Sequence, residues 1–499
     1  MEQKISGDLR KDEQYLITTI GQGLDTQYRH LLIPALDNCS ALIVYIKGLI
    51  NITELEDAII RPLTVPNRIG AEKRVKKITL PDFIKSSLFI AGIKPSQNWT
   101  EICDAIVSGN SVLFIDKCPS AFILANTGWE SRTISEPTSE VEIRGPKDSF
   151  VEDLVPNMAL IRRRIRDYGL RFEAMRLGDR TKTDIALVYI EGLTNDEILT
   201  ELRTRLGKIK IDAIIASNTI EELIEDSKYS IFPKMLRTER PDKATAALLE
   251  GRIVLIADNT PFVVIAPTIF WHFLQSPTDY YEKYILGTFW RLIRLLAMFL
   301  AVSSSSAYVL LTSFHQEMLP TSLALKIAAD RQGVPFPAAI EAFIMEILLE
   351  VMNEAGLRLP KALGQTVSIV GTLVIGQAAV QAGLIGPALV IAVATGAIAS
   401  YAIPSFAMSN TIRLLRFPVL LSSALFGIFG YLGAIIFMTL YLISLRSLGT
   451  PYYSPISPYQ KDPQKDTLLR APYTEMKKRP ETARPQDSVR QPGSSGNNN

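Results

Sequence analysis

The sequence predicts an α/β region of two similar tandem cytoplasmic subdomains, residues 1–145 and 146–285, then a multi-span α-helical membrane domain, 286–448, and a disordered proline-rich tail, 449–499. Three observations predict it: charge is unevenly distributed, the first part matches itself, and long apolar stretches are confined to the second. Residues 1–285 hold 36 Lys+Arg against 40 Asp+Glu, residues 286–448 hold 9 against 6, and residues 449–499 hold 8 against 5. From Gln365 to Leu445 the only charges are Arg413 and Arg416, in a chain that is 47% hydrophobic overall. This is a soluble region joined to a membrane region. It argues against a secreted enzyme, a nucleic-acid binder needing a basic face, and a disordered scaffold.

Met1 to Arg10 has no apolar core behind a basic flank, so no signal peptide is expected and the first 285 residues are expected to stay in the cytoplasm. Cys39, Cys103 and Cys118, and His30, His272 and His315, lie far apart with no CxxC or HxxxH spacing. Reduced thiols and no metal or other cofactor are therefore expected.

The repeat fixes the architecture of the soluble part. Ile43-Val44-Tyr45-Ile46-Lys47-Gly48-Leu49, followed by a helix-like Ile52 to Ile60, matches Leu187-Val188-Tyr189-Ile190-Glu191-Gly192-Leu193, followed by Asp196 to Leu206, at an offset of 144. Gly109, Val112, Leu113, Asp116 and Pro119 match Gly251, Val254, Leu255, Asp258 and Pro261 at an offset of 142. Each copy begins with a β-branched apolar run suited to a buried strand and continues as an amphipathic helix. Later in each copy a helix ends at glycine, where a left-handed cap costs least. A hairpin follows, Val112 to Ile115 with Ala121 to Ala125 in copy one and Ile253 to Ala257 with Phe262 to Ala266 in copy two.

Neither copy carries catalytic equipment: there is no P-loop, no GxGxxG after a strand, no GxSxG and no carboxylate pair beside a histidine. An enzyme is not expected. Arg162-Arg163-Arg164 with Arg166 is the densest basic run, and reads as a solvated or inter-subunit salt-bridge face or as an anion contact. Asp116 and Asp258, each before a turn proline, read as turn formers rather than ligands.

In the membrane part, Tyr280, Tyr281 and Tyr284 precede Phe289-Trp290-Arg291 and Arg294, an aromatic and basic collar suited to headgroup level. Four spans are expected: Leu295 to Leu311, Thr366 to Gly383, Leu384 to Met408 and Phe417 to Leu445. The Ser303 to Ser306 run reads as helix packing or as a water-lined path. Between the first two spans, Ala338 to Glu354 is amphipathic, with Glu346, Glu350 and Glu354 on one stripe at i, i+4, i+8. Three carboxylates do not sit in hydrocarbon, so this segment is expected in the interface, re-entering the bilayer, or facing a watery path. Five spans, with this segment crossing, is the alternative. Gln377 and Gln381 are amides at i, i+4 in an otherwise apolar span and must face protein or water. They either bridge helices within one subunit or line a pore whose cation vestibule is the acid stripe. The eight basic residues of the tail favour a cytoplasmic tail, hence an even number of spans, although Arg413 and Arg416 pull the other way. Eight prolines predict that the tail is disordered.

Several stretches resemble the A subunit of spore germinant receptors of endospore-forming bacteria, the GerA type. They are Ile143-Arg144-Gly145-Pro146, Leu160-Ile161-Arg162-Arg163-Arg164-Ile165, Thr238-Glu239-Arg240-Pro241-Asp242-Lys243, Leu248-Leu249-Glu250-Gly251, Phe314-His315-Gln316-Glu317-Met318-Leu319-Pro320, Gly333-Val334-Pro335-Phe336-Pro337, Glu354-Ala355-Gly356-Leu357-Arg358-Leu359-Pro360 and Val374-Ile375-Gly376-Gln377-Ala378-Ala379-Val380. Asp258-Asn259-Thr260-Pro261 departs from the usual Asp-Gly-Thr-Pro turn. The resemblance implies a subunit of a complex in the spore inner membrane, working with a transporter-like B subunit and a lipoprotein C subunit, and oligomerising into a nutrient-gated cation channel that triggers germination. The alternative is a close paralogue that travels with the dipicolinate channel and amplifies germination. A secondary transporter would want inverted repeats of spans, which are not seen.

Overall fold

The computed structural model describes residues 4–65, 80–90, 92–128, 136–137, 139–140, 142, 144–358, 376–460 and 466–491. The N-terminal part contains two five-stranded antiparallel sheets. In the first, β1 (Thr26–Ile33), β2 (Cys39–Ile46), β3 (Ile93–Ser96), β4 (Ser111–Ile115) and β5 (Ala121–Leu124) stand in the order β1-β2-β4-β5-β3. In the second, β6 (Leu170–Leu177), β7 (Thr183–Ile190), β8 (Leu236–Thr238), β9 (Ile253–Ala257) and β10 (Val263–Ala266) stand in the order β6-β7-β9-β10-β8. The registers coincide as well. Ala41 faces Ile115 and Val44 faces Val112, while Ile185 faces Ala257 and Val188 faces Val254.

Both central strands are buried on two faces, which is why they read as continuous apolar runs rather than alternations. On β2, Leu42, Val44 and Ile46 share a core with Leu16, Trp99, Ile102 and Ile106. Ala41 and Ile43 point the other way, to Ile59, Leu63 and Ile84. On β7, Ala186, Val188 and Ile190 join one core and Ile185 and Leu187 another. One face of the first unit is covered by α1 (Leu9–Thr19) and α2 (Trp99–Val107) and the other by the helical residues 52–64 and Leu80–Ser87, while the second unit carries α3 (Leu154–Arg164), α4 (Asp196–Gly207), α5 (Ser217–Ile224) and α6 (Pro241–Leu249). Helices α2 and α6 are each followed at the second residue by a glycine of positive φ, +93° at Gly109 and +81° at Gly251, as a left-handed cap requires. Asn259 holds φ 65° in the β9–β10 turn, a conformation that asparagine tolerates better than most side chains, so it can stand where the related turn has glycine.

Two expectations in this region change. Arg162 is neither solvated nor at a subunit face: it is 1% exposed and donates to Asp25 through Nε at 3.0 Å and Nη2 at 2.7 Å. The pair ties α3 of the second unit to the start of β1 in the first. Asp258 does more than form a turn, since its Oδ1 accepts the Leu154 N–H at 3.1 Å and so satisfies an orphan donor at the start of α3.

The helical part follows α7 (Thr278–Tyr281) and consists of α8 (Tyr284–Ser313), α9 (Thr321–Arg331), α10 (Ala338–Arg358), α11 (Pro387–Tyr401) and α12 (Phe406–Ser444). Among the described residues, α8 and α12 are long and apolar enough to cross a membrane. Residues 366–375 of the expected span Thr366 to Gly383 lie outside the described residues. The expected span Leu384 to Met408 is divided, with α11 ending at Tyr401 and α12 starting at Phe406.

The expected single span Phe417 to Leu445 is also corrected. Gly427 inside α12 has φ 59° and ψ −137°, and beyond it the chain runs back. Ser422 Oγ donates to the Gly430 carbonyl at 2.8 Å, and Thr411 bonds the Ile231 carbonyl while Tyr441 packs on the adjacent Phe232 ring. A straight helix would hold residues 411 and 441 about 45 Å apart. Thus α12 is a helical hairpin, with its tip against Phe314 at the far end of α8.

The tail is corrected too. Residues 466–491 lie on the second α/β unit: Arg479 Nε donates to the Leu249 carbonyl at 3.0 Å, Gln486 N–H to the Leu193 carbonyl at 2.9 Å, and Asp466 pairs with Arg291 at 3.0 Å. Its prolines rule out regular helix but not short turns pinned by side chains.

Candidate functional site: charges among apolar helices

The apolar helices α8, α10, α11 and α12 enclose one fully buried ion pair. Arg416, in the first arm of the α12 hairpin, donates through Nη1 to Glu346 Oε2 at 2.6 Å, through Nε to the Ala301 carbonyl of α8 at 2.8 Å, and through Nη2 to the Gly396 carbonyl of α11 at 3.1 Å. Both charged side chains are 1% exposed. Ser305 Oγ donates to the other oxygen of Glu346. Four helices therefore meet at one guanidinium, whose planar fork suits several fixed acceptors at once. Gly396 permits the approach, because a Cβ there would run into Ser304 Oγ.

The acid stripe is brought onto arginine rather than left to water. Glu350 pairs with Arg413, one turn below Arg416, with Nε to Oε1 at 3.0 Å. Glu354 is exposed and bonds Arg358 of its own helix at 2.6 Å. So α10 does not present three free carboxylates; it packs against α8, α11 and α12. Near its start, buried Glu341 accepts the Gly386 N–H at 3.1 Å and pairs with Arg331 at 3.2 Å. Gln377 and Gln381 sit in a helical stretch, 376–381, and both are exposed on the single chain. They do not join the buried cluster. In the serine run, Ser303 accepts from Tyr431 at 2.8 Å and Ser305 serves Glu346, while the buried hydroxyls of Ser304 and Ser306 have no partner among the described residues.

A second charged level lies at the base of α8. Arg291 and Arg294 both reach Asp279 Oδ2, at 3.1 and 2.8 Å, and Arg291 also holds Asp466 of the tail. Burial pushes the Asp466 carboxyl up to about 6 against the opposing pull of Arg291. Ala301 is ten residues above Arg291, about 15 Å along the helix, and twelve residues below Ser313. The Arg416–Glu346 pair thus sits near the middle of α8. Arg413, Arg416, Glu341 and Asp466 were not singled out from sequence as site residues.

The chain matches the model of the Bacillus/Clostridium GerA spore germination protein family over residues 14–482. It is 42% identical to Spore germination protein KA of Bacillus subtilis (strain 168) over 98% of this chain and 89% of that protein. It is 41% identical to the membrane protein YfkQ of the same organism over 88% of this chain and 85% of that protein. With Spore germination protein GerLA of Bacillus cereus, identity is 39% over 90% of each chain. On these matches the chain belongs to the GerA family of spore germination proteins.

Proposed function

We propose that this chain is the A-type membrane subunit of a spore germination receptor complex, and that copies of it assemble around a cation path opened by nutrient. In this reading the α/β units and tail are cytoplasmic, α8 to α12 lie in the spore inner membrane, and a transporter-like subunit and a lipoprotein subunit are its partners. The observation that carries the proposal is the exposure of Gln377 and Gln381 on a single chain within an apolar stretch. Their amides cannot be left to lipid without losing several hydrogen bonds, so water or a neighbouring copy must take them up. Glu346 and Glu350, held by Arg416 and Arg413, then form the rigid wall behind the path rather than a free vestibule, and Glu354 stands at its mouth. Family membership supports the germination role.

The test is a bilayer recording of the purified protein. Gln377→Leu with Gln381→Leu should lower cation conductance or hold the path shut, and Glu354→Gln should weaken preference for cations over chloride. Unchanged conductance and selectivity in both, with normal assembly, would remove the pore assignment.

A further inference from the structure

A cavity of about 210 Å³ opens in the second α/β unit beside the base of α8, far from the buried Arg416. Its floor is Arg252 and His272, its sides include Glu250, Lys243 and Tyr281, and residues Tyr473 and Arg490 of the docked tail close it. The wall's acceptors are already used. Asp242 takes Arg240 at 2.7 Å and the Tyr281 hydroxyl at 2.5 Å, Glu250 takes Arg252 at 3.0 Å, and Glu140 takes Lys243 at 2.7 Å.

Donors, in contrast, are left over. His272 Nδ1 accepts from the Ile269 N–H at 3.3 Å and lies 3.1 Å from Arg252 Nη1, which places the ring proton on Nε2. Burial, with the Arg252 charge next, holds this imidazole well below its ordinary range, so it is neutral and donates from Nε2. Arg252 is 6% exposed and its Nε has no partner among the described residues. Arg490 makes no ion pair among the described residues. Asp242 and Glu250 of the wall each have a basic partner, and the nearby Glu142 carboxylate is taken up by the Ser276 and Thr278 hydroxyls, which leaves the Arg490 guanidinium without a carboxylate among the lining residues. The tyrosines at 280, 281 and 473 supply flat apolar surface around these donors.

We propose that this cavity binds a small soluble monocarboxylate, its carboxylate taken by the His272 and Arg490 donors and its body lying against the tyrosines. A carboxylate for Arg490 and an acceptor for the His272 Nε2 proton are what the lining lacks, and a charge-assisted pair with an anion meets both. The volume admits a compact ligand of one ring or a short aliphatic chain. Because two wall residues belong to the tail, occupancy also fastens the tail. The neighbouring Tyr280 donates its hydroxyl to Asp466 at 3.0 Å, and Asp466 holds Arg291 of α8, so the ligand acts on the link between the soluble unit and the first long helix.

The full-length protein in detergent tests this with sodium benzoate and sodium acetate, against sodium chloride at equal ionic strength. Calorimetric titration should show saturable benzoate binding, and amide hydrogen exchange across 466–491 should slow at least threefold when benzoate is bound. Arg490→Gln, on a partly exposed side chain, should weaken binding tenfold or more without changing the unfolding temperature of the unliganded protein. Ala246→Trp, at the exposed rim, should abolish binding by filling the opening. No saturable binding of either carboxylate would overturn the proposal, as would binding unchanged in both variants. Protection by inorganic phosphate or by phosphatidylglycerol nanodiscs, with none by benzoate, would also overturn the monocarboxylate assignment.

Discussion

Replacing Arg416 by Met removes a guanidinium that makes three hydrogen bonds between 2.6 and 3.1 Å and leaves Glu346, 1% exposed, with Ser305 as its remaining partner. Breaking one side of a buried pair costs about 3–5 kcal/mol, because the surviving charge stays desolvated. Removing both charges should cost far less. In Arg416→Met with Glu346→Leu no carboxylate remains, and the Ala301 and Gly396 carbonyls that lose Arg416 belong to helices and keep their backbone donors. The double variant should therefore lie within about 2 kcal/mol of the parent, and with each single variant costing about 3 kcal/mol or more the coupling is at least about 4 kcal/mol. Denaturant unfolding of the purified protein in detergent, followed by hydrogen exchange in peptides from α8, measures all three variants. If the single Arg416→Met variant costs under about 1 kcal/mol, or if the two single effects simply add, the pair is not the buried junction described here.

Three further outcomes follow from particular contacts. Arg162→Leu leaves Asp25, 2% exposed, without its partner and should cost about 3–5 kcal/mol, with limited proteolysis cutting faster near residues 20–25; an unchanged cleavage pattern counts against the inter-unit lock. Glu221 is buried in α5 and its carboxyl is raised from 4.5 to about 7, chiefly by burial and against the pull of Arg237. A raised folded value means that the native state holds the proton more tightly, so stability is full below pH 4.5 and falls as pH climbs toward 7 and beyond, by up to about 3 kcal/mol. Glu221→Gln should flatten that slope and be the more stable protein at pH 8, and identical pH profiles would refute it. Gly427→Ala places a Cβ 3.1 Å from the Phe314 ring at φ 59° and ψ −137° and should cost about 1–3 kcal/mol; parental stability in thermal unfolding would mean that the hairpin tip is not strained by a side chain.

The soluble repeat was legible because its signal is local: a run such as Ile43 to Leu49 carries strand propensity and burial in the residues themselves, and its second copy sits at a fixed distance along the chain. The hairpin in α12 was not. Both of its arms are apolar and neither charge nor proline marks the tip, so hydropathy read one long span; the remaining sign is the pair Gly427 and Gly430, since a close reversal needs one residue free to take positive φ and another small enough for the returning arm. The tail failed for the opposite reason. Its composition says correctly that it has no core of its own, but the surface that orders it, from Leu193 and Leu249 to Arg291, lies hundreds of residues earlier and leaves no trace in the tail's sequence.

The acid stripe marks the point between these cases, because the information was present and went unread. Glu346 and Glu350 are one turn apart on α10, and Arg413 and Arg416 are three residues apart on α12, where they are the only charges in a long apolar stretch. Two antiparallel helices with those spacings bring Glu346 to Arg416 and Glu350 to Arg413, with no freedom to pair otherwise without reversing a helix or shifting it a turn. Neither pair of charges is tolerable alone in an apolar setting. Read together they predict each other, and with them which helices are neighbours and which way each one runs. The expectation of a free carboxylate vestibule treated the glutamates as a local feature, whereas the energy of Glu346 is set by a partner 70 residues away in sequence and 2.6 Å away in space.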